Sequence, residues 1–326
     1  MAATPFEKIE SFLPSIGRGA ALDARMHIDL ADSLDHISAQ TAVPLPDVSA
    51  RLKTIEAALR AGRRVPPMAF RKYYSLVQAL LAENATDVEA ALTAIETLGA
   101  RAGARTFMRF GEPKADQISL ELLTDGFRMA PIDADEAAEF TALCHEGLDL
   151  MQRALPALFS DVDAMVREVL LARAPAGDAM EFDGASHFQF WGLLLLNPKH
   201  HKTPLAVVEV LAHEASHSLL FGLTRHEPLV HNPDDELYAS PLRKDPRPMD
   251  GIYHAAFVSA RMWWAMDQMS RSEFLSPTER AEARDAAETD RANWEMGLSV
   301  IDAHARMSET GARILEDARH VMSAQT

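Results

Sequence analysis

Apolar positions along the first hundred residues recur at helical spacing. In PLPDVSARLKTIEAALRAGRR, residues 44–64, Val48, Leu52, Ile55 and Leu59 fall three and four apart, which predicts a helix ended by Pro66 and Pro67. The same period runs through 68–82 and 86–99, with Asp87 as the expected N-cap of the second. Between 103 and 130 the pattern changes: RTFMRFG and DQISLELLTDGF look strand-like, although neither alternates cleanly. Residues 134–173 return to helical spacing, with a break expected at Pro156. HFQFWGLLLLN, residues 187–197, is aromatic and apolar and reads as a buried strand. A polar PKHHK loop follows. Thr203 and Pro204 then supply a hydroxyl cap and a first-turn proline for a helix running to about Phe221, where Gly222 is the expected stop. Another helix is expected over 250–270. Two more follow Ser276-Pro277, parted near Ser308-Glu309-Thr310-Gly311. The fold class expected is therefore α+β, predominantly α-helical with a small sheet, in which the 204–221 helix packs after a buried strand. We expect a helical N-terminal region, 1–110, and a region carrying the chemistry, 111–326.

Composition narrows the function. The 326 residues hold 32 Lys and Arg against 48 Asp and Glu, a formal charge of −16. That balance argues against nonspecific binding to nucleic acid or to an anionic membrane, so neither is an expected partner. No apolar run approaches the ~20 residues that cross a bilayer. The start, MAATPFEKIE, lacks a basic stretch leading into an apolar one, so no secretory signal is expected. Cys144 is the single cysteine, which excludes an intramolecular disulfide and a cysteine-rich metal site. A cytoplasmic location is the simplest expectation.

The chemistry concentrates in His213-Glu214-Ala215-Ser216-His217, inside the 204–221 helix. Residues four apart share a helix face, so both imidazoles can reach one divalent ion. Glu214, one position on, is turned by about 100°. In zinc peptidases a glutamate so placed is the general base beside the metal-bound water, a zincin-like local arrangement. Leu205, Val207, Val208, Val210, Leu211, Leu219 and Leu220 make the helix apolar on most sides, hence buried. Histidines and a glutamate in such a helix need compensating partners, and a metal supplies them. The plain alternative is a pair of hydrogen-bonded core histidines.

A catalytic site needs a third ligand. Leu223 stands where a metzincin would have histidine. Glu236, nineteen residues after His217, is one option, in a loop-like HNPDDELY. His254, in the apolar helical segment GIYHAAFVSARMWW, is the other and the preferred one. Nearby, YASPLRKDPRPMDGIYH gathers Arg243, Lys244 and Arg247, with prolines that fix the loop. Arg261 follows His254 by seven residues and shares its helix face. Lys244 reads as solvated. Fixed guanidinium groups beside a metal suit a carboxylate-bearing co-substrate.

HEASH followed about twenty residues later by Tyr238-Ala239-Ser240-Pro241-Leu242-Arg243-Lys244-Asp245-Pro246-Arg247-Pro248-Met249 resembles the HExxH-type peptide β-hydroxylase family. The likeness spans roughly residues 185–265 and is carried by the combination of H-E-x-x-H with R-x-D-P-R-P. It implies an iron(II), 2-oxoglutarate-dependent dioxygenase that takes dioxygen and hydroxylates a side-chain β-carbon of a ribosomally made precursor peptide. His213 and His217 fall on the motif histidines, and His254 on the third iron ligand. Arg243 and Arg247 fall on the basic motif and, with Arg261, are the expected co-substrate anchors. Leu242 stands where the family commonly has tryptophan, which puts the pocket shape in question. Glu214 would then orient a ligand or a water. The rival expectation is a zinc metallopeptidase with Glu214 as base; a noncatalytic peptide-binding scaffold is the third.

Other conspicuous residues read as structural. His200, His201, His226 and His231 look like loop residues. Cys144, Trp263 and Trp264 look like core, and 279–291 looks like an exposed helix face with i,i+4 pairing. The N-terminal helices are a candidate holder for a peptide leader.

Overall fold

A computed structural model describes residues 11–177, 182–224, 226–240 and 245–324. It is mostly helical with a small mixed sheet, in keeping with an α+β class. Helices α1 (Arg18–Thr41), α2 (Pro46–Arg60), α3 (Pro67–Leu81) and α4 (Ala85–Thr97) lead to strand β1 (Thr106–Arg109). Helices α5 (Asp116–Thr124), α6 (Ala134–Ala154) and α7 (Pro156–Met165) precede β2 (Glu168–Leu171), β3 (Gly184–Ser186) and β4 (Leu193–Leu196). Then come α8 (Pro204–Leu223), the short strands β5 (Leu237–Tyr238) and β6 (Arg247–Pro248), α9 (Met249–Ser270), α10 (Pro277–His304) and α11 (Glu309–Ala324).

Two compact units emerge. One comprises residues up to Gly19, Asp135–Val162 and Asn197 onward; the other comprises Ala20–Ala134 and Asp163–Leu196. They do not part at residue 110. The reason is the sheet: β1 pairs parallel with β2, β2 parallel with β4, and β3 antiparallel with β4, so residues 163–196 belong with the first helices. The core of this second unit lies under that sheet, with Met108, Ile118, Leu122, Leu170, Phe190 and Leu193 buried together.

Local differences from the sequence expectation have local causes. Residues 116–124 form a helix, not a strand: Ile118 and Leu122, one turn apart, are buried, whereas Leu120 and Leu123 are exposed. The expected strand over 187–197 is confined to Leu193–Leu196, because Gly192, at φ +96°, turns the chain immediately before it. The helical spacing expected to continue to 173 stops at Met165, and Glu168–Leu171 extends into the sheet. Asn84, not Asp87, caps α4, its side chain accepting from Thr86 N–H and Asp87 N–H. Pro156 starts α7 after the break, as expected. The Ser276 cap is a full capping box with Glu279.

In the second unit His27 is buried, and its tautomer follows from its neighbours. Nδ1 faces the Asp23 carbonyl oxygen at 2.8 Å and Nε2 faces Val65 N–H at 3.1 Å. A carbonyl only accepts and an amide N–H only donates, so the ring is neutral, with its proton on Nδ1. Burial holds His27 below its ordinary value. The unfolded ring takes a proton near pH 6.5, and the folded ring only at lower pH. The unfolded state therefore binds more protons as pH falls below 6.5. Stability is full above that pH and declines below it. The urea midpoint is expected to drop from pH 7.5 to pH 5, and His27→Gln is expected to shallow that drop. An identical pH dependence in the variant contradicts this.

Candidate metal centre

In the first unit, α8 is buried on all sides but one. Between its end residues only Ala206, Glu209, His213, His217 and Phe221 are half-exposed. These are three and four apart, a single stripe along the helix. Thr203 caps the helix as expected, accepting from Ala206 N–H at 3.1 Å, and Pro204 opens its first turn. The helix runs on to Leu223, with Thr224, not Gly222, at its end.

The second face is α9. Its His254 lies against His217, the rings 5.2 Å apart and nearly parallel, with Nδ1 to Nδ1 at 2.9 Å. His217 Nε2 is 3.2 Å from His213 Nε2, and His213 Nδ1 is 3.0 Å from the Met262 sulfur. Pairing 217 with 254 and 213 with 262 means the two helices run antiparallel. Phe221 closes the same end, its ring 5.5 Å from His254 and 6.4 Å from His217. The structure thus brings together the three histidines read from the sequence. Met262, a thioether against His213, was missed, since no spacing rule marks it.

The nitrogens fix a proton order. A thioether sulfur only accepts, so His213 carries its proton on Nδ1 and leaves Nε2 bare. With all rings neutral, His217 then donates from Nε2 to His213 and accepts at Nδ1 from His254. Burial supports neutrality by holding His254 below its ordinary value, against the pull of the Asp250 carboxylate, 3.9 Å from its Nε2.

Two of these donors fit a metal ion. Nitrogens 3.2 Å apart, each about 2.1 Å from one ion, subtend about 100° at it. The third does not yet converge. His217 divides its two nitrogens between its neighbours, and among the described residues no three His, Cys, Asp or Glu side chains stand arranged to hold an ion. One ion on all three rings requires the His217 or His254 imidazole to rotate.

Glu214 is buried, its Oε1 3.9 Å from His213 Nε2, the nitrogen that faces His217. Glu236 is placed elsewhere: it is exposed and holds Arg306 through both oxygens at 2.9 and 3.0 Å and accepts from the Tyr238 hydroxyl at 2.7 Å. Between the two candidate third ligands, only His254 touches the motif histidines.

The arginines separate. Arg243 and Lys244 lie outside the described residues. Arg247 is half-exposed in β6, paired with Tyr238 across the small antiparallel ribbon, immediately before α9. No carboxylate pairs with it among the described residues. Arg261, expected as a co-substrate anchor, is turned into the interior instead. It is 2% exposed, donates to the Ser216 hydroxyl at 3.3 Å and to the Phe12 carbonyl, and lies 3.9 Å from Asp161. Burial, and next the neighbouring Arg18, pull it down to about 9. A seven-residue step keeps its direction but moves it roughly 10 Å along the helix, to other neighbours.

Of the two histidines expected in a solvated loop, only one is solvated. His200 is exposed, whereas His201 is buried near the Phe140 ring, 6.3 Å away. Cys144 is buried and in no disulfide. Trp263 is buried under the Arg291 guanidinium. No helix of the described residues is long and apolar enough to cross a membrane. Neither a scan of protein-family models nor a comparison with curated proteins finds a match for the chain.

Proposed function

We propose that this chain is an iron(II)- and 2-oxoglutarate-dependent dioxygenase that hydroxylates a side-chain β-carbon of a ribosomally made precursor peptide. The observation that carries the reading is one juxtaposition. Three imidazoles from two antiparallel helices meet, and Arg247, two residues before the helix that brings the third, has no carboxylate partner among the described residues. In this reading His213, His217 and His254 hold the metal in a zincin-like local arrangement. Ferrous iron, when bound, supplies the redox chemistry that couples decarboxylation of 2-oxoglutarate by dioxygen to insertion of one oxygen atom into a C–H bond.

The chain's own residues do the rest. The Nδ1–H of His213 rests on Met262, which orients the ring and keeps Nε2 available as a ligand. Phe221 packs on His217 and His254 and excludes water from that side. Arg247 offers a planar fork to the remote carboxylate of the keto-acid, with Arg243 as its partner in the same motif. Glu214, buried beside His213, orients a ligand or a water.

That position of Glu214 also favours a second reading. A buried carboxylate 3.9 Å from a ligating nitrogen is where a zinc peptidase needs its general base. The same three histidines would hold the zinc, since Glu236 is bound to Arg306. The two readings differ at Arg247. Arg247→Gln is expected to raise the KM for 2-oxoglutarate about ten- to a hundredfold, the loss of a charge-assisted pair, with iron content unchanged. A KM within twofold of the parent contradicts the oxygenase reading.

A further inference from the structure

The half-exposed stripe of α8 continues beyond the histidines. Glu209 lies one turn before His213, about 5.4 Å along the axis. Because α8 and α9 are antiparallel, this end lies beside the later part of α9, away from Arg247. There α10 brings in Asp290. Its neighbour Arg291 stacks over Trp263 of α9, 5.8 Å from the ring centre. Asp290 is 3% exposed and is the one charged residue on the buried stripe Ala283, Ala287, Asp290, Trp294 and Ile301.

Asp290 Oδ2 has no hydrogen-bond partner among the described residues. Among the described residues no Lys, Arg or His pairs with it or with Glu209. Burial first, then the Glu209 charge, push Asp290 up to about 8, and burial raises Glu209. A buried acid without a counter-ion stays protonated, and an incoming cation would stabilise its ionised form in place of that proton. Between Ala206 and Phe221 the stripe is thus polar, with Glu209 one turn before the two motif histidines.

The geometry points to Glu209 and Asp290 as a subsite for the cationic group of the substrate, an organic ammonium or guanidinium presented one helical turn from His213. Glu209, which reaches solvent, makes the contact, and Asp290 behind it, mostly protonated at neutral pH while the subsite is empty, gives up its proton as the cation arrives. The assignment rests on the histidine centre being where the substrate reacts. It makes the substrate residue a basic one, because an apolar side chain would leave Glu209 without a counter-ion and an acidic one would be repelled by it.

The test uses the full chain loaded with iron(II) and four probes: N-acetyl-lysine amide, N-acetyl-arginine amide, the neutral N-acetyl-norleucine amide and glycine amide. Dissociation constants are read by ligand-observed NMR. The lysine or arginine probe is expected to bind about ten- to a hundredfold tighter than the norleucine probe, with Glu209→Gln erasing the preference and Asp290→Asn reducing it. Glycine amide binding with the same Glu209 dependence would identify the cation as an α-amine and support the subsite equally. Equal binding of the lysine, arginine and norleucine probes overturns it. So does a preference untouched by Glu209→Gln, a half-exposed position whose change spares the core should Asp290→Asn fail to fold. Displacement of the probes by magnesium alone, at concentrations that leave Glu209→Gln unaffected, would make the pair an inorganic cation site and overturn it too. Iron content and succinate formation are read in parallel. Their absence beside a Glu209-dependent cation preference sinks the oxygenase reading alone; their presence without that preference sinks the subsite alone.

Discussion

Replacing His217 with alanine is expected to remove bound iron and with it the activity. His217 is the middle ring of the three, in contact with His213 through Nε2 and with His254 through Nδ1. Its loss removes one ligand and the neighbour that orients the other two. Outer groups that merely orient a ligand cost about ten- to a hundredfold in affinity, so loss of a ligand is expected to leave below about one-hundredth of the parent's metal binding and turnover. The helix should survive, because His217 lies on its half-exposed stripe and the buried positions are untouched. Metal analysis after dialysis, with circular dichroism as the check on folding, reads both. Stoichiometric iron in a folded His217→Ala protein would show that these rings are a hydrogen-bonded triad and nothing more.

Asp161→Ala is expected to be the most destabilising single change in the first unit. Asp161 is fully buried and pairs with the equally buried Arg18, accepts from Gly19 N–H at 3.0 Å, and lies 3.9 Å from Arg261. Two arginines share this one acid. Removing it leaves two guanidinium groups in the interior with no opposing charge at that spot, a class of change that costs about 3–5 kcal/mol. The urea midpoint should fall accordingly at unchanged slope. Arg306→Ala, which opens the exposed pair with Glu236, is the control and should shift it little. Equal shifts in the two variants would contradict the structural role given to the Arg18–Asp161–Arg261 group.

The helix that carries the motif was readable residue by residue. Thr203-Pro204 marks its start by known cap chemistry, and its apolar residues leave one stripe for His213 and His217. The choice between Glu236 and His254 was not settled by spacing. It depends on α9 returning antiparallel along α8, a long-range pairing that local periodicity does not encode. Arg261 shows the converse. Its register with His254 is correct, yet α9 is buried nearly all round, so a residue two turns on meets Phe12 and Asp161. DQISLELL misled because apolar residues at 118, 120, 122 and 123 fit both periods in so short a stretch. FWGLLLL has no period at all, and only the positive φ of Gly192 delimits its strand. The run 279–291 was rightly read as largely exposed. Asp290 breaks that reading, and the signal for it was present: with Ala283, Ala287 and Trp294 it completes an otherwise apolar stripe.

The most direct measurement is to add 2-oxoglutarate to the iron(II)-loaded protein under anaerobic conditions, then to admit oxygen with peptide. One coloured iron–keto-acid complex per chain, followed by succinate, is the result expected. Tightly held zinc, peptide bond cleavage and indifference to 2-oxoglutarate would contradict the account.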